Sequence, residues 1–418
     1  MSEVDVIVIG AGQAGLALSR CLVERRVDHV VLERGLIAER WHNERWDSLR
    51  LLTPNWQTRL PHFSYDGPDP DGFMDSAEVA AFLVRYAASF DAPIEEHTAV
   101  ERVSARRRGF EVATNRGTWT APIVAIATGY CDTPSVPSWA NRIAPSICQL
   151  TPSDYRRPSG VPPGGVLVVG ASATGIQLAQ ELREDGRRVI VAVGRHTRVP
   201  RTYRGRDIMW WLDRIGILDD TAESVFDRQK SQRQPSFQLV GRPDHASITL
   251  AELEDRGVTL AGRLVAIEGS IAHFDDTLIA TTVASDAKLA SILQRIDAYA
   301  AAQGLDGVGR TLDGYVPLWP RVVATPPEPQ LDLAALGINT VLWATGYARS
   351  YPWLDVPGVL DRRGEVRHDR GVTPAPGLYI IGLPFLQRRN SAFIDGVGAD
   401  AMMLAEHMTQ HLDQRAIA

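Results

Sequence analysis

The chain has 418 residues, 44% hydrophobic and 22% charged, so it can bury sizeable cores and is not expected to be disordered. A formal net charge of −6 argues against nucleic acid or an anionic membrane as the main partner. Cys21, Cys131 and Cys148 share no C-x-x-C spacing, which argues against a paired-cysteine redox motif. The sequence lacks a recognisable signal peptide and any apolar run of about 18 residues, so we expect a cytoplasmic protein without a spanning helix.

A strand–turn–helix–strand pattern occurs twice. The first copy leads from an apolar run at 4–9 through Gly10-Ala11-Gly12-Gln13-Ala14-Gly15 to a second apolar run that ends at Glu33. The second copy leads from 166–169 through Gly170-Ala171-Ser172-Ala173-Thr174-Gly175 to an apolar run at 189–193. Such patterns are typical of doubly wound nucleotide-binding folds. We therefore predict an α/β protein with two Rossmann-like doubly wound dinucleotide-binding domains.

The first turn has the complete fingerprint of a dinucleotide site. Gly10 permits a tight turn, Gly12 lets the backbone approach a pyrophosphate, and Gly15 lets the helix pack closely on the strand. The N–H groups at the start of the helix favour the phosphates. Glu33 can accept hydrogen bonds from both ribose hydroxyls of an adenosine. We predict that this turn binds FAD.

The second turn differs in two ways. Ser172 replaces the middle glycine, and the strand after the helix is followed by Arg195 with no acid. A guanidinium there suits the 2′-phosphate of NADPH, with NADH as the alternative donor. Arg198 and Arg204 are candidates to share this contact. A solvated loop charge is the alternative interpretation of Arg195.

The order of these patterns predicts one domain split around another. We expect the FAD-binding domain at 1–155 and 346–418, with the NAD(P)-binding domain at 156–345 between them. From about 204 to 304 the alternation of strands and helices breaks, which predicts a helical insert whose clearest amphipathic helix spans 285–303.

Several motifs in this order carry a resemblance to a known family. They are the two glycine turns, Ala127-Thr128-Gly129-Tyr130 and Ala344-Thr345-Gly346-Tyr347. From residue 5 to about 401 the chain resembles the class B flavin monooxygenases, which include the flavin-containing and the plant indole-pyruvate monooxygenases. Residues 49–57 resemble the family's flavin-proximal loop, and 377–400 resemble its last flavin contact.

The resemblance and the two turns together imply a set of cofactor contacts. Around the flavin they are Gly10, Gly12, Gln13, Ala14, Gly15, Glu33, Arg34, Trp41, Leu52, Thr53, Val100, Ala127, Thr128, Gly129, Tyr130 and Gly396. At the second turn, after its second strand and in the second Ala-Thr-Gly motif they are Ser172, Ala173, Thr174, Gly175, Arg195, Thr345, Gly346 and Tyr347. Trp41 fits a core residue equally well.

Catalysis in the family depends on the cofactor more than on side chains. Asn55 is a candidate for a polar contact to the oxygenated flavin, and a turn-forming asparagine after Pro54 is the alternative. The positive end of a helix that begins near Gly396 is expected to face the flavin pyrimidine. We expect no metal site, because His407 and His411 share a helix face without a third ligand nearby in sequence.

The resemblance implies that NADPH reduces FAD, which then forms a C4a-hydroperoxyflavin with molecular oxygen. The substrate would be a small amine, sulfide, indole-like acid or ketone, and a homodimer is left open. One departure concerns the family's loop before the second turn, where Pro145, Ile147 and Thr151 replace a Phe-x-Gly and a histidine. An NAD(P)H oxidase or reductase that releases hydrogen peroxide is therefore the alternative. A flavin-bound interaction protein without catalysis is the third hypothesis.

Overall fold

The computed structural model describes residues 2–221, 236–305 and 328–417. Its helices are α1 (Gln13–Glu24), α2 (Glu39–Asn43), α3 (Ser76–Ala88), α4 (Ala173–Glu184), α5 (Ile208–Arg214), α6 (Leu250–Asp255), α7 (Leu278–Ala302) and α8 (Val397–Ile417). Short 3-10 helices span Asn55–Gln57, Ser138–Arg142 and Pro158–Gly160.

The strands are short and fall into several sheets. In chain order they are β1 (Ser2–Glu3), β2 (Val6–Ile9), β3 (His29–Leu32), β4 (Arg59–Leu60), β5 (Phe63–Ser64), β6 (Ile94–Glu95), β7 (Val100–Arg106), β8 (Gly109–Thr114), β9 (Gly117–Ala121), β10 (Ile123–Ile126), β11 (Thr133–Pro134), β12 (Cys148–Leu150), β13 (Gly165–Val169), β14 (Val189–Ala192), β15 (Thr197–Arg198), β16 (Thr202–Tyr203), β17 (Arg206–Asp207), β18 (Phe237–Gln238), β19 (Thr259–Ala261), β20 (Leu264–Glu268), β21 (Ile271–Phe274), β22 (Gln330–Asp332), β23 (Ile338–Trp343), β24 (Tyr347–Ala348), β25 (Leu354–Asp355) and β26 (Leu378–Ile380).

Two five-stranded parallel sheets organise the molecule. The first has the order β26-β10-β2-β3-β6, and the second has the order β12-β23-β13-β14-β19. We call the first sheet with α1 the first unit, and the second sheet with α4 and the segments of 156–305 that pack on them the second unit. In each unit the glycine turn follows the central strand, so it lies at the carboxyl edge where doubly wound sheets bind ligands. The predicted α/β fold with two Rossmann-like units is confirmed.

The continuous apolar runs form the central strands because both faces of a parallel sheet are covered. Val6, Ile7 and Val8 in β2 and Leu167 and Val168 in β13 have no exposed surface. Helix α1 packs between its own sheet and α8, which returns the end of the chain to the first unit. A third sheet of order β1-β9-β8-β7-β25 packs beside the first.

The structure corrects the predicted insert at about 204–304. Strand β19 lies within those bounds but pairs in parallel with β14, so this part of the chain completes the second sheet. Helices α5 and α7 share a separate apolar cluster that includes Trp211, Leu293 and Ile296. The amphipathic helix begins at Leu278, seven residues before its expected start at 285. Sequence periodicity cannot distinguish an edge strand of three residues from a loop, which explains the difference.

The two units are also joined by short crossing segments. Strand β12 falls inside the predicted first segment, 1–155, but pairs with β23 in the second sheet. Strands β11 and β24 follow the two Ala-Thr-Gly motifs and pair antiparallel with each other. Within the described ranges, no helix combines the length and apolarity needed to cross a bilayer.

Candidate functional site

The first glycine of each turn has a backbone that favours glycine. Gly10 has φ +107° and Gly170 has φ +118°. A Cβ at Gly10 would lie 2.8 Å from the carbonyl oxygen of Ala127, and one at Gly170 would collide with the carbonyl oxygen of Ala344. Both glycines therefore serve the left-handed turn and the close approach of the neighbouring strand.

The last glycine of each turn serves helix packing. A Cβ at Gly15 would collide with the carbonyl oxygen of Gly10, and a Cβ at Gly175 would collide in the same way with Gly170. Each helix therefore starts directly over its own turn, which brings its first N–H groups to the edge of the sheet.

The middle position of the turn is different, because its backbone suits any residue. Gly12 has φ −83° and ψ −174°, and Ser172 has φ −84° and ψ −174°. A Cβ at Gly12 would meet no atom of the described residues within 4 Å. The small residue at this position leaves room for a ligand that approaches the backbone, and a serine preserves most of that room.

The helices that follow these turns keep their first N–H groups available. Neither α1 nor α4 has a side-chain cap or an acidic residue in its first turn. By contrast, α3 begins with a capping box of Asp75 and Glu78, and α6 begins with one of Thr249 and Glu252. Unpaired N–H groups at a helix N-terminus bind phosphate readily, so both turns suit a pyrophosphate.

The segments that follow β3 in the first unit and β14 in the second unit carry opposite charges. Glu33 is 7% exposed, and its carboxylate accepts hydrogen bonds from the backbone N–H of Ala11 at 2.7 Å and of Gly35 at 3.1 Å. These bonds hold the carboxylate beside the first turn, where an adenosine ribose would lie. The next residue, Arg34, points away and pairs with Glu44 at 2.7 Å.

In the second unit, the buried Val193 directly follows β14, and Arg195 lies exposed two residues later. Arg198 pairs with Asp286 at 2.5 Å and Arg204 with Asp297 at 2.7 Å, both on α7. The expectation that Arg198 and Arg204 share the 2′-phosphate contact is therefore not favoured, because each guanidinium already pairs with a carboxylate.

Several predicted flavin contacts converge on the first turn. Gln13 donates to the carbonyl oxygen of Ala392 at 3.4 Å, and a Cβ at Gly382 would lie 2.7 Å from the side chain of Ala14. Ala127, Thr128 and Gly129 follow β10 beside Gly10. Val100 begins β7, two residues after Thr98, whose N–H donates to the carbonyl oxygen of Glu33 at 2.7 Å.

A second group of predicted contacts lies at the crossing between the units. Tyr130 is 38% exposed just before β11, and Tyr347 pairs with Pro134 as β24 begins. Thr345 donates its hydroxyl to the carbonyl oxygen of Ser135. Gly346 has φ +87°, which suits glycine.

The 49–57 loop places Asn55 in a structural role. Its side chain is buried, donates to the carbonyl oxygen of Asp69 at 2.9 Å and accepts from the N–H of Met74 at 2.8 Å. Both ends of the amide are bonded to backbone, so the geometry favours the turn-forming interpretation over the catalytic one. Leu52 and Thr53 are half-buried in the same loop.

The tryptophans before this loop contact different cores. Trp41 on α2 packs against the apolar core of the first unit, and the guanidinium carbon of Arg45 lies 5.3 Å from the centre of its ring. Trp46 is buried in the core of the second unit; the sequence allows a core position for it but does not indicate which core.

Two further residues of this region were missed because their signal is visible only in three dimensions. Gln57 and Thr58 are each 1% exposed, and within the described residues neither the Gln57 amide nor the Thr58 hydroxyl has a hydrogen-bond partner. Buried polar groups are normally satisfied, so these atoms indicate a polar ligand. Arg59, next in the chain, pairs with Asp395 beside Gly396 at 2.5 Å. The residues present therefore fit a flavin, whose ring edge carries both donors and acceptors.

The start of α8 carries a charge that the sequence analysis did not consider. Gly396 packs too closely on the Asn390 carbonyl oxygen for any Cβ, and α8 begins at the next residue. Asp400, in its first turn, has no exposed surface. Burial raises the pKa of Asp400 to about 6, while the Ser391 hydroxyl and, more distantly, Arg388 and Arg370 oppose this change. An acid here reduces the positive potential expected at this end of the helix.

The two histidines of α8 have different surroundings. His407 lies 2.9 Å from the Tyr379 hydroxyl, and burial lowers the pKa of His411. Among the described residues, no group of three or more His, Cys, Asp and Glu side chains is placed to hold a metal ion.

The chain is similar to known oxidoreductases in sequence and in fold. Residues 7–212 match the family model described as pyridine nucleotide-disulphide oxidoreductase. A CzcO-like oxidoreductase of Geobacillus kaustophilus, itself uncharacterized, is 32% identical over 411 residues, covering 98% of this chain and 99% of that protein. The chain belongs to the CzcO-like oxidoreductase family.

Two further matches relate this family to monooxygenases. The indole-3-pyruvate monooxygenase YUCCA1 of Oryza sativa subsp. japonica is 30% identical over 189 residues, covering 43% of this chain and 45% of that protein. A flavin-containing monooxygenase from Stenotrophomonas maltophilia shares the fold with a TM-score of 0.68 at 18% identity, covering 99% and 100% of the two chains. The predicted oxidoreductase class is confirmed, and the chain has the fold of a flavin-containing monooxygenase.

Proposed function

We propose that this CzcO-like protein is an FAD- and NADPH-dependent monooxygenase that oxygenates a small organic substrate. The observation that carries the proposal is the pair of glycine turns with equal backbones and opposite charges, Glu33 in the first unit and Arg195 in the second. A carboxylate accepts hydrogen bonds from ribose hydroxyls, and a guanidinium attracts a 2′-phosphate. This difference supports one flavin dinucleotide and one phosphorylated nicotinamide dinucleotide in the same chain.

We assign FAD to the first unit. The N–H groups at the start of α1 would meet its pyrophosphate, and Glu33 would hold its ribose. Gln57 and Thr58 supply a buried amide and a buried hydroxyl for the polar edge of the ring. When bound, FAD accepts hydride from the nicotinamide and passes electrons to oxygen.

We assign NADPH to the second unit. The start of α4 would take the pyrophosphate, with the Ser172 hydroxyl available beside it, and Arg195 would contact the 2′-phosphate. The crossing strands β11 and β24 connect the two Ala-Thr-Gly motifs, so the units meet close to both turns.

A single kinetic experiment tests this function. Protein reduced with NADPH is mixed with oxygen in a stopped-flow instrument while NADP⁺ is present. A transient absorbance that differs from both oxidised and reduced flavin supports the monooxygenase. Direct return of oxidised flavin, with one hydrogen peroxide formed for each NADPH consumed, contradicts it and supports the oxidase.

The oxidase or reductase is the second candidate, and the loop before the second turn favours it. Ile147 is buried in an apolar cluster, and Thr151 donates its hydroxyl to Asp154 at 2.6 Å. The loop is therefore folded on itself, without the histidine that the family places there. If NAD(P)H does not bleach the flavin at all, the protein belongs to the third class, the non-catalytic flavin-bound proteins.

A further inference from the structure

The 49–57 loop is held by the second unit as well as by the first. A Cβ at Gly241 would collide with the carbonyl oxygen of Leu51, so the two backbones are in close contact. Arg201 donates from Nη1 to the carbonyl oxygen of Leu52 at 2.7 Å. The residues just before the loop are docked in the same direction, because Trp46 is buried in the second core and Ser48 donates to Glu181 on α4 at 3.0 Å.

Arg201 is an unusual residue to find in this contact, since it has no exposed surface. Its Nη2 pairs with Asp207, and its guanidinium carbon lies 4.9 Å from the ring centre of Phe73. Within the described part of the chain, its Nε has no hydrogen-bond partner. Burying an arginine that has one carboxylate partner costs desolvation free energy. The bonds that the guanidinium makes must offset this cost.

The same segment reaches the second glycine turn. Gln238 donates from Nε2 to the carbonyl oxygen of Ala171, the residue before Ser172. On α4, Gln177 donates to the carbonyl oxygen of Leu239 at 2.7 Å. Residues 238–241 therefore touch the second turn at one end and Leu51 at the other, while Arg201 contacts the next residue of the loop.

We propose that Arg201 is a positioning residue through which the second unit fixes the 49–57 loop against the first unit. The Leu52 carbonyl bond sets the place of the loop backbone, Phe73 fixes the plane of the guanidinium, and Asp207 compensates its charge. Because Gln57 follows in the same loop, a displaced Leu52 would move the amide assigned to the flavin ring. This last step rests on the proposed function, whereas the fixing of the loop does not.

Limited trypsin digestion of the purified protein tests the fixing of the loop without depending on flavin. Trypsin cleaves after arginine; Arg50 lies at the start of the loop, and Arg59 lies two residues after its end. In Arg201→Met we expect cleavage at these two bonds to be about tenfold faster or more, as for loss of one charge-assisted hydrogen bond. Cleavage at the hairpin tip Arg107–Arg108 should stay unchanged and serves as the internal reference.

Two additional variants keep this test decisive. Arg187→Met removes a guanidinium that also bonds to carbonyl oxygens, among them those of Pro158 and Val161, but only within the second unit. It should leave cleavage at Arg50 and Arg59 unchanged. If Arg201→Met does not fold, Arg201→Lys provides the test, because one ammonium cannot bond both the Leu52 carbonyl and Asp207 as the two guanidinium nitrogens do. In that variant, about threefold faster cleavage at Arg50 and Arg59 supports the proposal. Unchanged cleavage in the folded Arg201 variant overturns it.

A spectroscopic readout tests the consequence for the flavin. Adding NADP⁺ to the wild-type protein should perturb the flavin absorbance, and Arg201→Met should reduce that perturbation while the Kd for NADP⁺ stays unchanged. Arg201→Lys should restore part of it. An equal perturbation in Arg201→Met overturns the link between loop and flavin. A wild-type protein without flavin refutes the proposed function instead, and the trypsin result still decides the role of Arg201.

Discussion

The first and second units have the same turn built from partly different residues. Both turns start at a glycine with positive φ and end at a glycine whose Cβ would strike the first one. At the middle position, Gly12 and Ser172 have backbone angles that agree within one degree. The outer glycines are therefore required by the fold, whereas the fold leaves the middle residue open to selection by the ligand that we propose. The comparison separates structural from functional positions within one motif.

The units differ more clearly in how they present charge. Glu33 is buried, and its carboxylate is already oriented because it accepts from the N–H of Ala11 in the turn and from the N–H of Gly35. Arg195 is exposed, and the nearby Arg198 is paired with Asp286 on α7. A preoriented acid suits a cofactor that stays bound, and an exposed guanidinium suits a nucleotide that exchanges.

The largest expected effect concerns the outer glycines. Gly15→Ala places a Cβ against the Gly10 carbonyl oxygen, and Gly175→Ala does the same at Gly170. We expect each variant to lose about 1–3 kcal/mol of unfolding free energy or more, measured by urea denaturation. Gly12→Ala is the matched control and should unfold at the wild-type midpoint. Equal losses in all three variants would contradict the division into structural and functional positions.

A second prediction separates the ligands of the two middle positions. Gly12→Val should fold normally but lose its FAD, because the side chain fills the space left for the pyrophosphate. Ser172→Val should keep its FAD and raise the KM for NADPH. The ratio of flavin to protein absorbance and steady-state kinetics measure the two effects. Full flavin content in folded Gly12→Val would refute the assignment of the first turn.

The third prediction concerns the protonation of Asp400, which lies at the start of α8, the helix that packs against α1 of the first unit. Burial raises the pKa of Asp400 from an ordinary value near 3.8 to about 6, so the folded protein binds the extra proton between these values. Stability should therefore fall as the pH rises from about 4 to 6, by at most about 3 kcal/mol. Asp400→Asn should be more stable than wild type at pH 7 and equal to it near pH 4. Thermal unfolding across this range checks the sign, and a parallel shift at both pH values would contradict it.

The smallest expected effect concerns Arg195. Arg195→Ala should raise the KM for NADPH about tenfold, the lower end for a charge-assisted bond to phosphate. NADH use should hardly change because NADH lacks that phosphate, and flavin content should stay the same. A wild-type preference for NADH, or an equal loss with both nucleotides, would show that Arg195 does not bind the 2′-phosphate.

Part of the candidate site could be predicted because its signal is local. Glycines at fixed spacing, an apolar run on each side and a charge at the end of the next strand are all features of short segments. Asn55 shows where this reasoning stops. Its type and its place after Pro54 fit both a catalytic contact and a turn, and only its bonds to Asp69 and Met74 separate them.

Sequence alone determined the α/β class and the two glycine turns, because each depends on neighbours along the chain, and the resemblance to a family predicted the oxidoreductase class. Tertiary structure alone decided that β19 completes the second sheet, that Gln57 and Thr58 are buried without partners, and that Arg201 contacts Leu52. Arg201 and Leu52 are separated by 149 residues, and no local pattern encodes such a contact. Burial and long-range bonding arise only when distant segments pack, which is why the sequence could not reveal them.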